Sequence, residues 1–165
     1  MAYEFSKIEV LIADSQPMVV DLIRATMRLL GVPPENLHSF YDGASALTSF
    51  KKVNHDLIIV DWELQDIKGL EFIKAIRSNP VNPYVPVIFT TALTTAKRVG
   101  EARDSGITEF LAKPFTARTL AERIEVIVER PRQFVLAPDY RGPDRRRKTG
   151  ADYTGPERRG AQKDL

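Results

Sequence analysis

The chain has 165 residues, 43% of them apolar and 28% charged, which is enough for one domain of ordinary size plus a tail. It contains no cysteine, excluding disulfides and thiolate metal sites, and no apolar run approaches the ~20 residues that cross a bilayer. The net charge of +2 is uneven: residues 1–130 hold 15 Lys/Arg against 17 Asp/Glu and residues 131–165 hold 9 against 5, so the basicity belongs to the tail.

The opening "MAYEFSKIEV" lacks the basic-then-apolar layout of a signal peptide, so a cytoplasmic protein without membrane insertion is expected. Residues 8–13 form the first short, nearly continuous apolar run, rich in Val and Ile, which suits a strand buried on both faces. It runs into Asp14 and Ser15. Residues 17–30 follow with Val20, Ile23, Met27 and Leu30 at helical spacing, Pro17 in the first turn and Gly31 as a stop. A weaker strand at 37–41 precedes a helix at 43–51. Residues 57–60, "LIIV", form the next buried strand and end on Asp61.

A helix at 70–77 turns Leu70, Ile73 and Ile76 inward and stops at Asn79-Pro80. The run at 85–89 leads into Thr90 and Thr91, and a helix at 95–105 ends at Gly106. The last run, 110–112, leads into Lys113-Pro114. A helix at 116–129 then puts Leu120, Ile124, Ile127 and Val128 on one face, with Thr116 as its N-cap.

Strand and helix alternate five times over residues 6–130. Right-handed crossovers place the helices on both faces of one sheet, predicting a (βα)5 doubly wound domain with five parallel strands. In such a sheet all carboxyl ends lie at one edge, where ligand sites form at the switch in strand order. Asp14, Asp61, a hydroxyl of the Thr90–Thr91 pair and Lys113 are therefore expected in one crevice. Clustered carboxylates invite a hard cation, and Mg²⁺ suits oxygen ligands and retained waters. With Lys and Thr beside it, the set is suited to phosphoryl chemistry, a carboxylate attacking phosphorus. Neither a P-loop nor a GxGxxG run is present, so the phosphoryl group is expected from another molecule.

"VLIADSQP", "IIVDWELQDIKGLEF", "VPVIFTTA" and "EFLAKPF" resemble, in order and spacing, the signature segments of the response-regulator receiver domain of two-component signalling. The resemblance covers residues 6–130 and implies the flavodoxin-like arrangement. It implies that Asp61 is the phosphoacceptor and that Asp14, Asp61 and the backbone carbonyl of Glu63 serve Mg²⁺. It further implies that Lys113 contacts the phosphoryl group ahead of a cis bond to Pro114, that Thr91 is the switch hydroxyl and that Phe110 holds the switch-aromatic position. The resemblance also implies a population shift, in which phosphorylation draws Thr91 inward, Phe110 rotates into the space left, and the face made by the fourth helix, fifth strand and fifth helix changes.

The chain departs from that pattern in places. Ser15 stands where the family usually has a second, metal-binding acid. A neutral hydroxyl is the weaker ligand, so lowered Mg²⁺ affinity and slower phosphorylation are expected, with the Glu63 side chain compensating at the rim. Gln65-Asp66 replaces a common Pro-Gly, predicting a looser turn. Leu93, near the pocket mouth, is expected to slow water's access and lengthen the phosphorylated state. Thr90 reads as structural, Trp62 as a half-exposed loop aromatic, and His38 and His55 as surface or strand-edge residues.

After residue 130 the pattern changes. "YRGPDRRR" recurs 13 residues later as "YTGPERRG". Gly-Pro excludes regular helix and few apolar residues are available to bury, so residues 131–165 read as a largely irregular tail. The repeat of Tyr140, Arg145 and Arg146 as Tyr153, Arg158 and Arg159 reads as a bivalent docking motif, its Arg pairs suited to carboxylate or phosphate. Asp144, Asp152 and Glu157 weaken its field, favouring a protein over nucleic acid. "RQFVLAP" reads as an extended strand laid on the receiver or on a partner.

The combined reading is a stand-alone response regulator, phosphorylated on Asp61 by a histidine kinase or phosphotransfer protein. It signals to a downstream protein target by contact, with a homodimer through the face of the fourth helix, fifth strand and fifth helix as one route. It is not an enzyme beyond its own acyl-phosphate formation and hydrolysis. A phosphorylation-independent adaptor and a tail-mediated nucleic-acid binder are the alternatives.

Overall fold

The computed structural model describes residues 4–92, 95–129, 131, 134–137 and 140–143. Its five central strands are β1 (Val10–Ala13), β2 (Leu37–Phe40), β3 (Leu57–Asp61), β4 (Val87–Thr91) and β5 (Glu109–Ala112), with α1 (Pro17–Leu29), α2 (Gly43–Lys52), α3 (Gly69–Arg77), α4 (Ala96–Asp104) and α5 (Ala117–Glu129) between and after them. All neighbouring strands run parallel in the order β2-β1-β3-β4-β5. The direction of winding reverses beside β1 and β3, which places a crevice at their carboxyl ends. This is the expected doubly wound α/β sheet.

The sheet divides two apolar layers. On one face Leu11, Ile58, Val60, Val87 and Phe89 meet Ala46 and Phe50 of α2 and Phe72, Ile73 and Ile76 of α3. On the other, Val10, Ile12, Ile59 and Ile88 meet Val20, Ile23 and Met27 of α1 and Leu120 and Ile124 of α5. Alternate residues of each strand feed opposite layers, so every position of β1, β3 and β4 is buried. Gly31 and Gly106 follow α1 and α4 at φ 102° and 100°, a left-handed conformation that a side chain disfavours. Thr116 Oγ1 accepts from Thr119 N–H at 3.2 Å, as expected of the cap of α5.

Several local expectations change. Leu70 is 38% exposed rather than inward. The buried stripe of α3 is Gly69, Phe72, Ile73 and Ile76, and Leu70 lies one position off it. His55 is 1% exposed, not a surface residue, because its ring stacks on Phe50 (centroids 6.2 Å apart) and meets His38 edge-on at 5.2 Å. His38 sits on edge strand β2, with Nε2 2.6 Å from Glu9 Oε2.

The extended segment expected at "RQFVLAP" is present as β6 (Phe134–Ala137), and it pairs antiparallel with β7 (Tyr140–Pro143) in a hairpin that the sequence did not suggest. Phe134 meets Tyr84 edge-on at 4.6 Å and receives the Arg77 guanidinium over its ring at 5.1 Å. Arg77, at the end of α3, is itself buried and donates to the carbonyls of Gly106, Pro83 and Val85. Burial pulls its pKa down to about 10. Gly142 packs so closely on Gly106 that an added Cβ would lie 2.5 Å from its Cα. Tyr140, the aromatic of the first repeat, is buried, and its hydroxyl donates to Pro143 O at 2.8 Å. It is thus held within the hairpin and not presented to a partner. Arg145, Arg146, Tyr153, Arg158 and Arg159 lie outside the described residues, as does Leu93.

Among the described residues no helix is long and apolar enough to cross a membrane.

Candidate functional site

Four strands deliver polar groups to the carboxyl edge of the sheet. Asp14 follows β1, Asp61 closes β3, Thr91 closes β4 and Lys113 follows β5. Asp61 pairs in register with Thr90, so Thr91 lies one step beyond it along the same edge. The backbone N–H of Lys113 donates to Thr91 O at 2.7 Å, fixing the start of the β5 loop against β4. The Lys113–Pro114 bond is cis.

Lys113 Nζ lies 2.7 Å from Asp14 Oδ2 and 3.2 Å from Asp61 Oδ2. Both carboxylates are buried, and one ammonium bridges them. Two backbone donors complete the pair: Gln16 N–H to Asp14 Oδ1 at 2.8 Å, and Glu63 N–H to Asp61 Oδ1 at 3.0 Å. Burial pushes the Asp61 carboxyl above its ordinary value, and the nearby Asp14 charge adds to this; the Glu63 N–H and Lys113 oppose it without cancelling it. Burial also works against the charge on Lys113, but the hydrogen bond to Asp14 and the two negative charges outweigh it and hold its pKa above the ordinary value.

The donor set fits a hard divalent cation. Two oxygen ligands of like charge converge on one cation, and Mg²⁺ typically takes one or two carboxylates and keeps several waters. Among the described residues no three acidic or His side chains gather as a metal cage, so waters and the Glu63 carbonyl would complete the shell. Ser15 is exposed beside Asp14.

The Glu63 side chain takes an unforeseen course. Its carboxylate accepts a short hydrogen bond from Thr91 Oγ1 and a longer one, 3.4 Å, from Ala92 N–H. It therefore spans from the loop after β3 to the end of β4. Phe110 is half-buried and packs on the layer that holds Phe89, its register partner. Thr90 is buried, consistent with a structural part.

Trp62 also departs from expectation. It is 5% exposed, with its indole edge-on to Phe89 at 4.8 Å. Gly69 makes this possible, because a Cβ there would stand 2.5 Å from Trp62 Cδ2. Nor is the loop after Asp61 slack. The Asp66 carboxylate accepts from Gly43 N–H and Ala44 N–H, both at 2.9 Å, and ties the loop to the start of α2. Burial works against the charge on Asp66, but backbone N–H groups of Gly43, Ala44, Asp66 and Ile67 together outweigh it and hold the carboxyl below its usual range. Asp66 thereby joins Asp42, which accepts from Ser45 N–H at 2.7 Å, in capping α2. An acid bordering the loop was the available signal, but its partner lies over twenty residues away.

Comparison with known proteins agrees with this fold. The family profile described as response regulator receiver domain matches residues 10–125. Chemotaxis protein CheY-3 of Vibrio cholerae serotype O1 is 31% identical over 122 residues, covering 74% of this chain and 92% of that protein. Chemotaxis protein CheY of Pseudomonas aeruginosa is also 31% identical over 122 residues, covering 74% and 97%. Among solved structures, CheY4 of Vibrio cholerae superposes with a TM-score of 0.67 at 27% identity, over 73% of this chain and 98% of that one. The receiver domain of sensor histidine kinase PA1611 from Pseudomonas aeruginosa, which has a magnesium ion coordinated in its active-site cleft, gives 0.64 at 26% identity, over 72% and 94%.

Proposed function

The chain belongs to the response regulator receiver family, and from that premise we propose that it accepts a phosphoryl group on Asp61 from a histidine kinase or phosphotransfer protein and signals by phosphorylation-dependent protein contacts. The observation that carries this reading is the Lys113 ammonium bridging Asp14 and Asp61 at the carboxyl edge of the sheet. A lone carboxylate at a strand end is ordinary. Two buried ones sharing a cation, beside Thr91, form a place for a further anion.

An Asp61 oxygen forms the new P–O bond as the donor's P–N bond breaks. The electron pair leaves with the donor imidazole, which takes up a proton. Asp61 must be ionised to attack; burial resists this, and Lys113 with the Glu63 N–H favours it. Lys113 is placed to hold a phosphoryl oxygen by charge, and the Thr91 hydroxyl to donate to another once it is released from Glu63. Asp14, Asp61 and the Glu63 carbonyl would hold Mg²⁺, which supplies positive charge against the phosphoryl oxygens and the crowded carboxylates. The chain acts as phosphoacceptor rather than as an enzyme with a separate substrate, in the cytoplasm where such donors reside. Its targets are proteins that distinguish the two states of the face formed by α4, β5 and α5.

A second reading, a phosphorylation-independent adaptor, draws support from exposed Ser15 in place of an acid and from the Glu63 carboxylate resting on Thr91. Incubation with phosphoramidate or acetyl phosphate and Mg²⁺, followed by intact-mass measurement, separates the two. The proposal expects a gain of one phosphoryl group that is absent in Asp61→Asn. No gain with either small donor or with a histidine kinase sinks it.

A further inference from the structure

Thr91 Oγ1–H and Ala92 N–H are two adjacent hydrogen-bond donors at the end of β4, facing the edge where Asp61 ends β3. Both point to the same carboxylate, that of Glu63. Its own backbone N–H is bonded to Asp61 Oδ1 at 3.0 Å, so the residue holding the two donors is anchored to the acceptor carboxylate itself. An anion thus already occupies this donor pair at the end of β4, one and two residues beyond Thr90, the register partner of Asp61. A phosphoryl group on Asp61 brings three more oxygens to the same place, together carrying up to two negative charges. Lys113 is placed to meet one of them, and the Thr91 hydroxyl and Ala92 N–H at the end of β4 are further donors, which Glu63 occupies. Two anions cannot share one hydroxyl hydrogen and one amide hydrogen, and their charges repel over a few ångströms in a partly buried site.

We propose that Glu63 is an internal competitor for the phosphoryl site: its carboxylate occupies Thr91 and Ala92 in the unphosphorylated chain and must be displaced before a phosphoryl group on Asp61 can bond to them. This rests on the phosphoacceptor reading above and adds to it a positioning residue that sets how readily the site fills. The exchange requires no new bond beyond those of phosphoryl transfer: one set of charge-assisted hydrogen bonds breaks and an equivalent set forms. Glu63 is half-buried at the rim, so its carboxylate has a path to water when it leaves. Thr91 then trades a partner on β3's loop for one on Asp61. The structure therefore couples occupancy of Asp61 to where the Glu63 charge lies.

The sign of a Glu63 substitution decides the matter. A carboxylate that assisted Mg²⁺ at the rim would make its removal harmful, whereas a competitor makes it beneficial. Beryllofluoride with Mg²⁺, an analogue of the phosphoryl group, is titrated into the full chain. The emission of Trp62, the sole tryptophan and the residue after Asp61, gives the readout. In Glu63→Ala the half-saturating concentration is expected to fall about tenfold, the scale of losing charge-assisted hydrogen bonds to a rival anion. Glu63→Gln, which keeps the shape and drops the charge, should show a smaller fall. In a Thr91→Val background the Glu63→Ala gain should shrink to within about twofold, since the contested hydroxyl is gone. General damage to folding weakens binding, so it cannot imitate a gain. Unchanged or weaker binding in Glu63→Ala, with the wild type responding, overturns the competitor. No response from the wild type or any variant, together with no phosphoryl uptake from acetyl phosphate, overturns the phosphoacceptor reading and the competitor with it.

Discussion

Lys113 Nζ lies 2.7 Å from Asp14 Oδ2, joining the end of β5 to the end of β1 across 99 residues of sequence. The same nitrogen reaches Asp61 Oδ2 at 3.2 Å. One cation therefore allows two carboxylates to remain buried together. Removing a partner from a buried ion pair typically costs about 3–5 kcal/mol, because the remaining charge stays desolvated. Lys113→Ala should lose about 3 kcal/mol of unfolding free energy in EDTA near neutral pH, at the lower end because the ammonium keeps some contact with water. The raised Lys113 pKa makes its contribution present at every pH below the ordinary 10.5, and lost only as pH rises through the higher folded value. Urea unfolding of both proteins measures the difference. Equal stability would mean that the carboxylates do not depend on this lysine.

Burial, with the positive influence of His38 beside it, lowers the His55 pKa from 6.5 to about 4. Glu9 and Asp56 pull in the opposite direction without reversing the shift. A group whose folded pKa lies below its unfolded one stabilises the fold above the unfolded value and loses that contribution as pH falls. The window here runs from 6.5 down to about 4, and the loss across it is about 3 kcal/mol. His55→Phe should keep the contact with Phe50 and flatten the curve in that window. Urea midpoints collected across it test this, and parallel curves for the two proteins would contradict it.

Gly69→Ala would place a Cβ 2.5 Å from the Trp62 indole, inside the contact that seats this ring on Phe89. Overpacking of this kind costs about 1–3 kcal/mol. The variant should be less stable, and Trp62 emission should shift to longer wavelength as the indole is driven toward water. An unchanged spectrum at wild-type stability would show that the ring has room to yield.

These residues mark what the sequence conveyed and what it withheld. The strands were legible because four apolar runs were too short for core helices, and the site followed because parallel strands bring all their carboxyl ends to one edge. Asp14, Asp61 and Lys113 needed no knowledge of contacts, only of chain order. Trp62, His55 and Asp66 were misread for one shared reason. Each is fixed by a partner on another element, through Gly69 and Phe89, Phe50, and Gly43, respectively. Periodicity reports which face of an element is apolar and does not report what a polar or aromatic residue in a loop will touch. Leu70 was a smaller error of phase, since α3 turns Gly69 rather than its neighbour toward the core.

The first strand of the hairpin was legible, since "RQFVLAP" reads as an extended segment and β6 forms within it against Tyr84 and Arg77, but its pairing with β7 was not. That pairing is seated by close backbone approach of Gly142 to Gly106, which leaves no apolar pattern. Gly142→Ala would bring a Cβ to 2.5 Å from the Gly106 Cα, and backbone gives way less readily than a side chain. The variant should release the hairpin while the five-stranded sheet persists. Hydrogen exchange at the amides of Phe134–Ala137 and of residues 140–142 should rise at least about tenfold, in line with a cost of about 1–3 kcal/mol. Protection equal to the wild type would contradict the packing described here.

The central claim is that Asp61 is the atom-level acceptor, with Lys113 and Asp14 arranged around it. Borohydride reduction of the phosphorylated chain tests this most directly, because an acyl phosphate is reduced to an alcohol and an aspartyl phosphate leaves homoserine in its place. After treatment with acetyl phosphate and Mg²⁺, then borohydride, peptide mapping should find homoserine at position 61. Homoserine at another aspartate, or phosphoryl carried on a residue that borohydride does not reduce, would contradict the account.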